Sequence, residues 1–254
     1  VILVGLIAVE RRQGTAILTL SRGVTNAINH ELVDELSGIV RRLRDDPGCR
    51  GLVLTGANRK FFSIGLDIPW LFPLSRKDFT DFYKAFNRLC LDLFTLPKPA
   101  IAALAGHAIA GGCILALCGD YRFIAEGKKL MGLNEIKLGV PVPYPADRIL
   151  ERLAGWGVAR EIIDSGEFYS GPELLTRGLV DGVLPPGKVL PAAVERAAEL
   201  GAHSLEAFAL IKRNRTEPVR TAILADLDER ERRFVERWYA PRTRELLEEA
   251  MEKF

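Results

Sequence analysis

Residues 99–119 read PAIAALAGHAIAGGCILALCG and hold no Asp, Glu, Lys or Arg. Such a run either crosses a bilayer of about 30 Å as one apolar helix or lies deep inside a globular core. Its four glycines, a central His107 and an Ala-rich first half argue for the core. It divides into a strand over 100–105, a Gly-His turn, and a buried helix over 111–117. Two buried elements need a large core around them. A chain of 254 residues, 48% hydrophobic and 27% charged, supplies one.

The rest of the chain fits that core. Residues 2–10 and 15–21 are β-rich runs that predict a hairpin across Arg11-Arg12-Gln13-Gly14. Residues 29–43 repeat apolar positions at helical spacing, with Asn29 as N-cap and Asp46-Pro47-Gly48 as the stop. A short buried strand follows at 51–55 (GLVLT), then a Gly-rich aromatic loop to about residue 74 and a helix over 77–96. Further strands are expected at 121–125 and 179–184, with helices and turns over 146–178 between them. Strands alternating with helices predict an α/β fold with partly parallel sheets. After Pro185-Pro186-Gly187 every segment is helical. The expected division is therefore an α/β core over 1–187 and a helical region over 188–254.

Charge and cysteine content narrow the function classes. Thirty-five basic and 33 acidic residues leave a net charge of +2, so neither nucleic acid nor a membrane surface is expected as partner. Four cysteines are too few for a disulfide scaffold and fit a reducing, cytoplasmic setting. Residues 1–14 carry no basic segment ahead of an apolar run, and no leader peptide is expected.

Three segments carry candidate chemistry. Phe61-Phe62-Ser63-Ile64-Gly65-Leu66-Asp67-Ile68 follows the GLVLT strand, and Ala108-Ile109-Ala110-Gly111-Gly112-Cys113 follows the 100–105 strand. Each is a strand-to-helix turn with glycine. Two such turns either are tight packing or aim two main-chain N–H groups at one oxygen that becomes negative during reaction. Glu135 lies in the mainly apolar segment 131–139. It is either a base whose pKa is raised by desolvation or an exposed turn residue paired with Lys137. Asp67 reads as a helix cap, and Asp147 as a residue of a helix start or an additional acid. His107, Cys113 and Cys118 match no zinc spacing, and no metal is expected. Gly106-x4-Gly111 lacks the Lys and Ser/Thr of a phosphate loop.

Taken in order, these pieces resemble the crotonase superfamily of enoyl-CoA hydratases and isomerases. The matching pieces are Arg22 with Asn26-Ala27-Ile28-Asn29, LVLTG, F-S-x-G-x-D-I, Lys98-Pro99 with IAALAGHAIAGGC, Asp120-Tyr121-Arg122, and Asn134-Glu135 with Leu138-Gly139. The resemblance implies a spiral of ββα units with a C-terminal helical trimerisation region, a homotrimer or dimer of trimers, and an acyl-CoA thioester as substrate. Coenzyme A would enter as part of that substrate, with no separate cofactor. Carried across, the thioester oxygen would accept from the main-chain N–H groups of Ile64 and Gly111. Arg22, Ser63, Leu66 and Gly112 would bind substrate, and Glu135 would be the acid–base residue. Hydratases of the family use a second glutamate three residues after the oxyanion glycine, where this chain has Ile114. One carboxylate suffices to move a double bond. FSIGLDI, AGGC with LALCGDYR, and GLNEIKLG look closest to the Δ3,Δ2-enoyl-CoA isomerases. A hydratase, another lyase or hydrolase of the superfamily, and a non-catalytic CoA- or RNA-binding relative are the alternatives.

Overall fold

Antiparallel pairing opens the fold. In the computed structural model, which describes residues 5–252, β1 (Ile7–Arg12) pairs with β2 (Thr15–Leu20). Gln13 and Gly14 alone make the turn, at φ 50° and 75°. Positive φ at both central residues is what a two-residue hairpin between right-twisted strands requires. The beginning of the expected first strand, residues 2–4, lies outside the described residues.

Helix α1 (His30–Asp45) buries Leu32, Val33, Leu36, Ile39, Val40 and Leu43, the six positions its periodicity marks. Its ends are tied. Asn29 Oδ1 accepts the Leu32 N–H at 3.1 Å, and the buried Lys98 ammonium donates to Leu43 O (2.6 Å) and Asp46 O (2.7 Å).

One plan then repeats. β3 (Gly51–Gly56) leads to β4 (Phe61–Ser63), α2 (Ile68–Leu71) and α3 (Arg76–Phe94). β5 (Ala100–Leu104) leads to β6 (His107–Ile109) and α4 (Gly111–Leu117). β7 (Tyr121–Ala125) leads to β8 (Leu130–Gly132), a 3₁₀ turn over Glu135–Leu138, and α5 (Tyr144–Ser165), which breaks at Gly155. β9 (Phe168–Ser170), α6 (Gly171–Thr176) and β10 (Gly182–Leu184) follow. The first strand of each repeat joins a sheet ordered β1-β2-β3-β5-β7-β10, parallel after β2. The second strand joins a smaller sheet ordered β4-β6-β8-β9. This is the expected spiral of ββα units.

The large sheet buries both faces, so its strands read as continuous apolar runs. Ala16, Leu18, Leu52, Leu54, Ala102 and Leu104 face the main core. The alternate residues Ile17, Val53, Ile101 and Ala103 are covered by Val189, Ala193, Val194 and Ala197 of α7 (Val189–Ala202). The break at Gly187 therefore ends the strands without ending the packing unit: α7 belongs to the core.

The uncharged run of residues 99–119 is β5, β6 and α4. Among the described residues no helix is long and apolar enough to cross a membrane. Asp120 and Arg122, which follow it, are buttresses. Lys212 of α8 (Leu205–Trp238) is buried and donates to Asp120 Oδ2 at 2.7 Å, and the same oxygen accepts the Ala100 N–H at 2.9 Å. Arg122 donates to Leu179 O (2.7 Å) and Gly119 O (2.6 Å). Helix α8 thereby runs from the starts of β5 and β7 to α3, where Tyr83 stacks on Phe234 (4.0 Å) and Phe79 on Trp238 (4.3 Å). α9 (Pro241–Met251) packs against the 3₁₀ turn through Thr243, whose hydroxyl donates to Gly139 O at 3.0 Å. Ile223, Phe234 and Trp238 of α8 are thus buried in their own chain.

Candidate active site

Glu135 is the first residue of the 3₁₀ turn and is 5% exposed. Burial raises its carboxyl from the ordinary 4.5 to about 7. The pairing with Lys137 that the sequence leaves open does not form: Lys137 Nζ donates to Glu167 at 2.6 Å. Glu135 Oε2 is buried and has no hydrogen-bond partner among the described residues, and the same holds for Asn134 Oδ1 beside it.

That carboxyl borders a cavity with about 700 Å³ of open space, its mouth included. Ile114, Leu66 and Gly111 border it near the turns, and Leu138, Val140, Phe234 and Trp238 form apolar wall. Glu135 is the single acidic side chain among these bordering residues. Asp147 stands outside, held to Arg148 at 2.8 Å.

The two glycine turns meet at this cavity, but not through the donors expected. The Ile64 N–H donates to Thr25 O at 3.0 Å and is unavailable to a ligand. The chain then turns at Gly65, at φ 99°, and the next N–H belongs to Leu66. A Cβ on Gly111 would stand 3.2 Å from the Leu66 nitrogen, and a Cβ on Gly65 would stand 2.9 Å from the Gly111 nitrogen. Gly65 is therefore required by the close approach of main chain to main chain and by its positive φ, and Gly111 is tightly packed against the same turn. Among the described residues neither the Leu66 nor the Gly111 N–H has an acceptor. Gly111 is the first residue of α4, where the N–H has no intrahelical partner. Leu66 thus takes the position expected of Ile64, and the pair of free donors is Leu66 and Gly111.

Two further expectations are corrected. Ser63 is wholly buried; its hydroxyl donates to Asn26 O (2.8 Å) and accepts the Gly65 N–H (3.1 Å), so it shapes the turn from behind. Gly112 packs on Ser63, whose oxygen would lie 2.3 Å from a Cβ there, and it does not border the cavity. Asn26, which carried no assigned role, braces the same turn: its amide donates to Phe62 O at 3.0 Å and accepts the Arg22 N–H at 2.9 Å.

Arg22 stands at a second hollow that shares Ile64, Leu66 and Ile68 with the cavity. Its guanidinium meets Asp67 (2.7 Å) and Ala27 O (2.9 Å). Asp67 also caps α2, accepting the Trp70 N–H at 3.2 Å, the role its sequence position suggests. His107 leans on Phe61 and accepts the Leu130 N–H at Nδ1, 3.2 Å away, which makes it a residue of the small sheet.

A buried carboxyl, two main-chain donors beside it and an apolar hollow can hold a carbonyl, stabilise negative charge on its oxygen and move a proton on a neighbouring carbon. The family model for enoyl-CoA hydratase/isomerase matches residues 10–254, and the chain belongs to that family. Enoyl-CoA delta isomerase 1, mitochondrial, of Mus musculus is 31% identical over 185 residues, 72% of this chain and 64% of the mouse protein. A crotonyl-CoA hydratase of Syntrophomonas wolfei subsp. wolfei is 30% identical over 218 residues, 85% of this chain and 84% of its own. The crystal structure of human mitochondrial Δ3-Δ2-enoyl-CoA isomerase superposes with a TM-score of 0.94 over 98% of this chain and 97% of that one, at 27% identity. The fold is the crotonase fold.

Proposed function

We propose that this enzyme moves a double bond from C3 to C2 of an enoyl-CoA. The observation that carries the reading is Glu135 as the single carboxyl on the cavity among the described residues, with the hydrocarbon of Ile114 bordering the same space. The thioester oxygen accepts from the Leu66 and Gly111 N–H groups. Glu135 takes a proton from C2, the C–H electrons form the C2–C3 double bond, and the former C3–C4 π pair takes the same proton back at C4. Negative charge gathers on the thioester oxygen between the two steps, where fixed main-chain donors are worth about 10²–10³ in rate each. A carboxyl near 7 is matched to this task, since it must first gain and then release the proton.

Hydration of a 2-enoyl-CoA calls for two groups to orient and activate one water. Ile114 offers none, which favours isomerisation over the hydratase reading. Coenzyme A enters with the substrate, and the step uses no separate cofactor. Arg22 at the adjoining hollow is suited to the CoA portion. Assembly as a trimer or dimer of trimers draws support from Leu210 and Ile211, adjacent on α8 and 62% and 57% exposed. Four buried free cysteines favour a reducing, cytoplasmic setting.

Absorbance of the conjugated thioester tests the reading. A gain from 3-enoyl-CoA with no loss from 2-enoyl-CoA is the expected result. Loss from 2-enoyl-CoA at a comparable rate would move the assignment to a hydratase.

A further inference from the structure

Glu135 sits on a turn too short to hold itself. The 3₁₀ turn spans four residues, and its main-chain bonds are Lys137 N–H to Asn134 O (3.0 Å), Gly139 N–H to Ile136 O (3.1 Å) and Val140 N–H to Glu135 O (3.2 Å). A single such turn is marginal alone, so its place is set by what it leans on. Lys137 ties it to Glu167, but both side chains of that pair are about half exposed, and such pairs contribute little.

The buried fastening comes from α9. Thr243 is 1% exposed, and its hydroxyl donates to Gly139 O at 3.0 Å. Gly139 ends the turn at φ 73°, and a Cβ there would stand 2.9 Å from Leu246 Cδ1 and 3.2 Å from Thr243 Oγ1. Glycine at this position lets α9 lie directly on the turn. The next residue, Arg244, donates to Phe72 O at 2.9 Å. Phe72 caps the C-terminus of α2, the helix that starts two residues after the Leu66 donor. Ala250, further along α9, borders the cavity itself. One helix is thus fastened both to the segment that carries the base and to the segment that follows a donor.

Resting on the enoyl-CoA reading of the cavity, we propose that Thr243 is a positioning residue: through Gly139 O it holds the Glu135 carboxyl in register with the Leu66 and Gly111 N–H groups, with Arg244 as the second anchor of α9. Proton transfer needs the base and the charge-stabilising donors at a fixed separation, and a displacement of about 1 Å can cost about 10²-fold in rate. Without the hydroxyl, Gly139 O loses this partner, and a half-buried carbonyl turns toward water to regain one. The turn moves with it, and water gains access to Glu135.

Thr243→Val keeps the shape and removes the hydroxyl, and Thr243→Ser restores it. Infrared difference spectra read the titration of the Glu135 carboxyl without substrate, with Glu135→Gln identifying its band. The wild-type midpoint is expected at about 7. Thr243→Val is expected to lower it by about one pH unit as burial is relieved, and Thr243→Ser to stay close to wild type. On 3-enoyl-CoA, Thr243→Val is expected to lose about tenfold in kcat with KM little changed, because the donors are main chain. In the Glu135→Gln background the same substitution should cost nothing further, since effects that run through one residue are not additive. Arg244→Met, at a half-buried side chain, frees α9 from its other anchor and should move the midpoint the same way; it decides the matter if Thr243→Val does not fold. An unmoved midpoint, a kcat loss that Thr243→Ser does not rescue, or a loss undiminished in the Glu135→Gln background would each overturn the proposal. The two readings fail separately. A wild type that does not isomerise 3-enoyl-CoA while Thr243→Val still moves the midpoint loses the reaction and keeps the positioning. A wild type that isomerises with the midpoint unmoved in the variants keeps the reaction and loses the inference.

Discussion

Ile114 and Glu135 border one cavity, both almost wholly buried, and Glu135 alone of the two brings a carboxyl to it. If that asymmetry sets the reaction type, Ile114→Glu should introduce measurable hydration of a short 2-enoyl-CoA. The rate should be low and the fold weakened, because a new buried carboxylate has no partner there. Ile114→Gln controls for polarity without an ionisable group. Hydration equally fast in wild type and both variants would show that position 114 does not choose the reaction.

The raised carboxyl of Glu135 sets a pH signature with a definite sign. The base form is needed, so kcat/KM should rise with pH through about 7 and level off above it. Stability runs the opposite way. The folded protein binds the Glu135 proton more tightly than the unfolded chain, whose value is near 4.5, so Glu135 costs stability increasingly as pH climbs from there through about 7. Glu135→Gln should therefore exceed wild type in stability at alkaline pH, and the advantage should vanish below about 4.5. Denaturant titrations of both proteins across that range check it.

The donor assignment separates two neighbouring amides. Replacing the Leu66 N–H by an ester oxygen, through incorporation of the hydroxy acid, should cost about 10²–10³ in kcat. The same exchange at Ile64 removes its bond to Thr25 O and should lower stability with a smaller effect on rate. An equal loss of kcat at both positions would contradict the assignment.

Much of the architecture is legible in the sequence because burial writes it there. GLVLT and AIAAL are continuous apolar runs since both sheet faces are covered, and α1 shows its six buried positions at helical spacing. The second sheet is not legible. Its strands β4, β6, β8 and β9 hold three residues each, too few to display a period of two. Glu135 could be picked out as an acid in an apolar segment. The sequence motif points to Ile64 as the donor beside it where the structure has Leu66, since only the hydrogen bond to Thr25 tells which amide is used up. Phe234 and Trp238 could not be linked to Glu135 at all, as a contact between such distant positions exists only once α8 has folded back.

The proposed assembly rests on what α8 leaves uncovered. Leu210 and Ile211 are adjacent and exposed, and a trimer or hexamer mass by light scattering at micromolar concentration is expected. Paired substitution of both by Glu should shift that mass toward the monomer. A monomer mass for the wild-type protein would contradict the proposed assembly.

The most direct measurement is the turnover of Glu135→Gln on 3-enoyl-CoA. The amide preserves the shape and removes the base, so kcat should fall by about 10²–10⁴. Binding of a saturated acyl-CoA should change little, because the Leu66 and Gly111 donors are main chain. A variant that retains most of the wild-type rate would contradict single-carboxyl proton transfer.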